Sequence, residues 1–176
     1  VMSALDNGRA AAAAYLADRG ARLNLLSAAG VGRLDVVKSY FNEDGTRKAK
    51  TSQKQVQRAF LYACTWGQTN VVEFLLDKGV DLDTGGDGGQ TPLHCAAIGG
   101  QLSTMKLLLK FNPQLELRNM YGGTVLGQTL WSAAHGGNAK VYAEIIETLI
   151  AAGANIPARH VPVNKRIDDL LRRYGS

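Results

Sequence analysis

The chain has little cysteine, little proline and no long hydrophobic run. Among its 176 residues are only two cysteines, Cys64 and Cys95, which excludes a disulfide framework and, without Cys-x-x-Cys spacing, a thiolate zinc site. The apolar stretch at 141–154 contains two glutamates and is shorter than the roughly 18 residues that a membrane span requires. The first residues do not resemble a signal peptide. We therefore expect a cytoplasmic protein that is not integral to a membrane.

Signatures of catalysis and nucleotide binding are also missing. The sequence contains no GxxxxGK[ST], no GxSxG and no GxGxxG that would open a helix after a strand. His94 adjoins Cys95, but neighbouring residues on a helix point about 100° apart and do not form a nucleophile–base pair. The three histidines, His94, His135 and His160, lie in different segments without the spacing of a metal site. We expect no enzymatic activity, no metal and no cofactor.

Glycine, by contrast, is abundant and recurs in a pattern. The chain has 20 glycines against 4 prolines, so the glycines do not indicate a linker. Four segments share a pair of small residues followed three positions later by glycine: 25–32, 60–67, 93–100 and 130–137. An amphipathic segment follows each of them, which predicts a helix, a glycine turn and a second helix. The left-handed conformation that ends a first helix is expected at Gly32, Gly67, Gly100 and Gly137.

One unit carries a specific motif. Residues 91–96 read Thr-Pro-Leu-His-Cys-Ala, which matches the Thr-Pro-Leu-His-x-Ala signature of ankyrin repeats, and Gly67 and Gly100 are separated by the 33-residue period of that family. Over residues 1–156 the chain resembles the ankyrin repeat family. The resemblance implies an all-α solenoid of stacked helix-turn-helix units with short β-hairpin arms. It also implies that His94 forms a hydrogen bond with the backbone across the loop.

Spacing divides the chain into units of a single array. The units are an incomplete one at 1–21, fuller repeats at 22–45, 46–80, 81–113 and 114–156, and a C-terminal cap at 157–176. The cap depends on Asn164, which is expected to begin a short helix with one apolar stripe. In the last repeat, Gly100 to Gly137 and Gly137 to Gly153 span 37 and 16 residues, where Gly67 to Gly100 and Gly67 to Gly79 span 33 and 12. Each excess equals one helical turn, so both helices of this repeat are predicted to be longer.

The family uses the residues after the small pair, together with the tips of the arms, for recognition. The resemblance therefore places a protein-binding surface on the concave face and arm tips at Tyr62, Thr65, Trp66, Ile98, Met120, Tyr121 and His135. The arm tips are expected at 54–55, 87–88 and 120–121. Trp66 and Tyr121 are the expected anchors, because exposed aromatic residues often dominate interface energetics. Alternatively, Trp66 packs on Ile98 and Tyr121 covers the last repeat.

A basic segment precedes the first helix of the second full repeat. Residues 42–58 are expected to form a polar loop whose cations are Arg47, Lys48, Lys50, Lys54 and Arg58. Together with Glu43 and Asp44, these residues contribute +3 to the formal net charge of +5. The simpler interpretation is a solvated loop, and the alternative is contact with an acidic partner.

These observations predict a non-catalytic module, monomeric in isolation, that recognises an unidentified protein or peptide on the concave face and hairpin tips. One alternative is a structural repeat module of a larger polypeptide, because the first unit begins inside a helix. Another is a binder of an acidic polymer through the loop at 42–58. Nucleic acid is not an expected partner, because acidic residues are spread among the helices and no basic face alternates with aromatic residues.

The charge distribution leads to a first prediction. In an electrophoretic mobility assay at physiological salt, we expect micromolar protein to shift neither generic duplex DNA nor single-stranded DNA. Binding to phosphates would instead give a shift that weakens steeply as salt rises, since each contact releases counterions. A clear shift at micromolar protein would contradict the expectation.

Trp66 provides a second prediction. As an exposed anchor it should contribute more to binding than to folding, so Trp66→Ala should keep its thermal midpoint within about 10 °C of the wild type. Truncation of a buried tryptophan costs about 3–5 kcal/mol of stability, whereas loss of an exposed anchor costs about 2 kcal/mol or more of binding. A larger drop in the thermal midpoint would assign Trp66 to the core.

Overall fold

A computed structural model of the chain describes residues 1–136, 138–158 and 162–175. Every regular element in these residues is a helix, which confirms the all-α class. In chain order the helices are α1 (Met2–Asp6), α2 (Ala10–Asp18), α3 (Leu25–Gly30), α4 (Leu34–Lys38), α5 (Gln53–Thr65), α6 (Thr69–Asp77), α7 (Pro92–Ile98), α8 (Leu102–Leu109), α9 (Val125–Ala134), α10 (Ala139–Ala151) and α11 (Lys165–Tyr174). The expected arms contain no strand in this part of the chain, where one isolated antiparallel bridge joins Phe41 to Arg47.

Successive helices form pairs whose members contact each other across a tight turn. The turn glycines Gly32, Gly67 and Gly100 have φ angles of 76°, 71° and 64°, in the left-handed region where other residues are strained. The three turns are confirmed, and the fourth predicted turn glycine, Gly137, lies outside the described residues. None of the helices described is both long enough and apolar enough to cross a bilayer.

Side-chain caps determine where the first helix of four pairs begins. The caps are Asn24, Ser52, Thr91 and Thr124, and each accepts a hydrogen bond from the backbone N–H three residues later. A cap of this kind contributes about 1 kcal/mol to helix stability. In α3, α5 and α7 the side chain three residues later also accepts from the N–H of the cap, which completes a capping box.

The capping box of α5 corrects the prediction for the basic segment. The Ser52 N–H donates to Gln55 Oε1 over 2.8 Å, and the helix therefore begins at Gln53. Lys54 and Arg58 lie on α5, so the expected loop at 42–58 is too long and the expected arm tip at 54–55 is wrong. The cations that do lie in the connection before the helix are Arg47, Lys48 and Lys50.

The chain divides into two compact units, Val1–Asp81 and Leu82–Ser176. In the first unit α3 packs against α5, and the small pairs Ala28-Ala29 and Ala63-Cys64 are fully buried. In the second unit α7 packs against α9, and the pair Ala96-Ala97 is likewise fully buried. Each unit thus has its own core, built on close contact between first helices. The boundaries assigned above to the individual repeats remain a prediction.

Both helices of the last pair are longer than those of the pair before, as predicted. The first helix of the pair, α9, has 10 residues where α7 has 7, and the second, α10, has 13 where α8 has 8. The two lengthened helices contact each other, so the pair accommodates its extra residues as helix.

The C-terminal segment contains the predicted capping helix. Asn164 Oδ1 accepts a hydrogen bond of 3.1 Å from the Ile167 N–H at the start of α11. The apolar stripe of this helix, Ile167, Leu170 and Leu171, is buried, and α11 packs against α10. Asp168 in the first turn and arginines in the last turn carry the charges that the helix dipole favours.

His94 links the start of α7 to the backbone of the connection between α8 and α9, as the family resemblance implies. Its Nδ1 lies 2.8 Å from Thr91 Oγ1 and accepts from the Thr91 N–H, while its Nε2 lies 3.0 Å from the carbonyl oxygen of Gly123. Because a carbonyl oxygen only accepts, the proton of the neutral ring is on Nε2. Burial lowers the pKa of His94 below its usual 6.5, since a charged ring would lose hydration there.

A pH dependence of stability follows from this lowered pKa. Above the unfolded-state pKa of 6.5 the ring is neutral in both states, whereas below it the unfolded chain takes up a proton more readily than the folded chain. We expect the thermal midpoint to fall as pH decreases from about 6.5. His94→Gln, which does not titrate, should lose part of this decrease, whereas His135→Gln should retain it. Equal pH profiles for the wild type and His94→Gln would refute the assignment.

Candidate functional site

A cleft of about 630 Å³ lies within the second unit. Its walls come from the connection before α9, from the N-terminal part of α9 and from the segment after α10. The lining residues are Glu116, Arg118, Asn119, Tyr121, Gly122, Gly123, Thr124, Gly127, Gln128, Leu130, Trp131, Asn155, Ile156, Pro157 and Ala158. We refer to it as the aromatic cleft, because Tyr121 and Trp131 are its two aromatic residues.

A buried asparagine shapes the turn that carries Tyr121. Asn119 Oδ1 accepts hydrogen bonds from the N–H groups of Tyr121, at 3.0 Å, and Gly123, at 3.1 Å. The Gly122 N–H donates to the Asn119 carbonyl oxygen, which closes the turn. Met120 and Tyr121 therefore project from a backbone held by hydrogen bonds, and their side chains are 68% and 78% exposed. The expected arm tip at 120–121 does lie in a turn.

Trp131 is the aromatic residue that sequence reasoning missed. Its side chain is 57% exposed and stacks on His135 one turn later, with ring centroids 4.2 Å apart and planes 17° from parallel. His135 Nδ1 lies 2.7 Å from the Trp131 carbonyl oxygen and donates to it, which holds the imidazole in place. The stack fixes the orientation of the indole on α9.

The repeat pattern contains a signal for Trp131. At the equivalent position, directly after the first apolar residue of the pattern, the other repeats have Leu26, Leu61 and His94. Leu61 and His94 are 8% and 1% exposed, and Leu26 is half-buried. A position that is buried in two repeats and half-buried in a third is thus occupied by a large exposed indole in the last repeat.

Most of the polar side chains in the cleft lining are already hydrogen-bonded. Asn119 Nδ2 donates to Gln128 Oε1 at 3.1 Å, and Gln128 Nε2 donates to Ser132 Oγ at 3.3 Å. Glu116 Oε1 accepts from the Asn155 N–H at 2.9 Å, and Arg118 donates to the Gly122 carbonyl oxygen at 2.7 Å. The residues described contain no group of three or more His, Cys, Asp or Glu side chains that could hold a metal ion. His160 lies outside the described residues.

In the first unit, the predicted surface residues Tyr62 and Trp66 are partly covered by their own unit. Tyr62 donates a hydrogen bond of 2.6 Å to Asp6 Oδ1, and burial together with this carboxylate raises the pKa of Tyr62 to about 12. Trp66 is half-buried at the end of α5 and lies beside Gly30, where an added Cβ would be 3.3 Å from Trp66 Cδ1 and 2.7 Å from Leu5 Cδ1. Part of the indole thus contacts its own unit, and its role as an anchor remains a prediction.

The remaining predicted residues lie apart from the aromatic cleft. Thr65 Oγ1 donates to the Leu61 carbonyl oxygen at 2.9 Å, so its hydroxyl already has an acceptor. Ile98 is exposed at the end of α7 and does not line the cleft. Of the predicted residues, Tyr121 lines the cleft together with Trp131, His135 stacks on Trp131, and the others lie in separate places.

Comparison with known proteins agrees with the helical fold. Residues 25–119, more than half of the chain, match the family model described as ankyrin repeats in 3 copies. The Notch-regulated ankyrin repeat-containing protein of Homo sapiens is 35% identical over 88 residues, which are 48% of this chain and 70% of that protein. Inversin of Gallus gallus is 38% identical over 68 residues, which are 37% of this chain and 6% of that protein. The chain therefore belongs to the ankyrin repeat family.

Proposed function

We propose that this chain is a cytoplasmic, monomeric recognition module that binds a protein or peptide in the aromatic cleft, with Trp131 and Tyr121 as anchors. Ankyrin repeats are generally non-catalytic modules of protein–protein interaction, which supports the class of function. The observation that carries the proposal is the 57% exposure of Trp131 at a position that is buried in two of the other repeats and half-buried in the third. Cys64 and Cys95 are buried and form no disulfide, which agrees with a reducing compartment.

The energetics of exposed aromatic residues support this site. Burial of apolar surface contributes about 25 cal/mol per Å², and a tryptophan buries more surface than most side chains when a partner covers it. The stack on His135 holds the indole of Trp131, and the hydrogen-bonded turn at Asn119 holds the backbone of Tyr121, which lowers the entropy lost on association. Preorganised aromatic anchors of this kind are typical hot spots of protein interfaces.

The shape of the cleft favours a segment of polypeptide over a flat surface. Gly122, Gly123 and Gly127 line the walls, so a ligand backbone can approach the protein backbone closely. The volume of about 630 Å³ falls within the range of ligand sites and suits a few side chains. Glu116 and Arg118 add one charge of each sign, so the cleft itself has no strong preference for a charged ligand.

Truncation of the anchors tests this proposal. In affinity capture from a cell lysate, quantified by mass spectrometry, Trp131→Ala and Tyr121→Ala should each lose the proteins that the wild type retains. A hot-spot loss of about 2 kcal/mol corresponds to roughly 30-fold weaker binding. Because both side chains are exposed, their removal should change the thermal midpoint by only a few degrees, about 1 kcal/mol or less.

Phe111→Ala is the matched control. Phe111 is 49% exposed in the same unit but does not line the cleft, so its truncation should leave the captured proteins unchanged. If Trp131→Ala captures the same proteins as the wild type, the cleft is not the recognition site. A thermal midpoint that collapses in Trp131→Ala would make the residue structural instead.

A further inference from the structure

The first unit contains a second cleft, of about 740 Å³, next to the basic segment. It lies between residues 41–51, the start of α5 and the end of α6. Its floor is apolar and consists of the buried residues Phe41, Val56 and Val80. Its rim is charged and consists of Asp44, Arg47, Lys48, Asp77 and Lys78. We refer to it as the basic cleft.

Hydrogen bonds hold the segment that forms one wall of the basic cleft. The Asn42 N–H donates to the Thr46 carbonyl oxygen at 2.8 Å, and the Lys48 N–H donates to the Tyr40 carbonyl oxygen at 3.0 Å. Arg47 Nη1 donates to the carbonyl oxygen of Thr51 at 2.9 Å. The wall therefore exists before any ligand binds, which reduces the entropy that binding must overcome.

Aromatic packing positions the α6 side of the cleft, where Lys78 lies. Phe41 packs edge-to-face on Phe74, with ring centroids 5.3 Å apart. The ammonium groups of Lys38 and Lys78 lie 5.7 Å and 5.3 Å from the centroid of Phe74. These cation–π contacts hold Lys78 at the rim without neutralising its charge.

The carboxylate of Asp44 at the rim has hydrogen-bond donors close by, whereas the cations of the rim have no carboxylate in ion-pair distance among the described residues. Asp44 Oδ1 accepts from the Thr46 N–H at 2.8 Å and from the Thr46 hydroxyl at 2.6 Å, and these hydrogen bonds lower the pKa of its carboxyl group. Among the described residues, Arg47, Lys48 and Lys78 form no ion pair with a carboxylate. The charge of Lys78 also lowers the pKa of Asp44, and Arg47 donates to a backbone carbonyl, but the three cations of the rim exceed its two carboxylates, Asp44 and Asp77, by one charge.

We infer that the basic cleft binds an acidic peptide segment, with an aliphatic side chain on the Phe41–Val56–Val80 floor and a carboxylate of the peptide between Lys48 and Lys78. The apolar floor beside a cationic rim is complementary to alternating aliphatic and acidic residues. A polyanion such as nucleic acid fits less well, because Asp44 and Asp77 also face the cleft and its one aromatic residue, Phe41, is buried. The site lies in the first unit and does not depend on the aromatic cleft of the second.

A labelled peptide provides the probe. Fluorescence anisotropy of fluorescein-labelled Gly-Ser-Asp-Leu-Glu-Leu-Asp-Ser-Gly should show saturable binding at low salt that weakens as sodium chloride is added. Lys48→Gln and Lys78→Gln should each weaken binding by about fivefold, the upper value for one exposed ion pair. In ¹H–¹⁵N spectra, the peptide should shift resonances of residues 41–51 and 78–80.

Matched controls separate this site from the alternatives. Lys140→Gln removes an exposed cation from α10 and should bind the peptide as the wild type does. A peptide with serine in place of leucine, and one with amides in place of its carboxylates, should both bind more weakly. Trp131→Ala should bind the peptide as the wild type does. The proposals for the two clefts can therefore be refuted independently.

Three results would overturn the inference. The first is no binding at millimolar peptide, and the second is unchanged binding to both Lys48→Gln and Lys78→Gln with intact thermal unfolding. The third is binding driven by charge alone, which would be seen either as a preference for oligodeoxythymidine over the peptide or as equal binding of the serine peptide.

Discussion

Neighbouring first helices can approach each other only where their facing side chains are small. In the first unit this requirement is met by Ala28, Ala29, Ala63 and Cys64, all fully buried where α3 packs against α5. Gly30 extends the same surface, and an added Cβ there would collide with Leu5. Protein interiors are packed as densely as organic crystals, so a larger side chain at these positions would force the helices apart. The packing of the first helices in each unit depends on this close contact.

The two clefts illustrate how a repeat fold acquires distinct sites. Both are bounded by the connection that precedes a first helix, and in both a hydrogen-bonded turn presents the side chains that face solvent. The residues that face the two clefts differ: cations on the connection at 41–51 in one unit, and Tyr121 on the connection together with Trp131 on α9 in the other. Binding properties can therefore change through the connections without disturbance of the buried pairs, which agrees with the general location of function on loops.

Sequence periodicity predicted the elements that depend on local chemistry. The turns at Gly32, Gly67 and Gly100, the helix after Asn164 and the longer last pair follow from backbone conformation, capping and spacing, which a single sequence displays. The sequence also contains the signal for the start of α5, because Ser52 and Gln55 have the spacing of a capping box. It was missed because the polar, basic composition of the segment suggested a loop.

The exposure of Trp131, in contrast, depends on tertiary packing and not on local sequence. Its position in the repeat predicts burial, because Leu61 and His94 are buried there, and only the neighbours of α9 in the folded unit determine whether the indole is covered. The same holds for Trp66, whose contact with Gly30 joins residues far apart in the chain. Residue type and spacing identify candidate side chains, whereas their exposure is a property of tertiary packing.

The hydrogen bond between Tyr62 and Asp6 joins positions 56 residues apart, and it has a consequence for the order of assembly. Closing so long a loop is entropically costly until the intervening helices have formed. Helix α1 packs against α2 and α3, and this hydrogen bond joins its end to α5. The hydrogen bond can therefore form only after α3 and α5 have packed together, so its contribution to stability comes late in the assembly of the first unit.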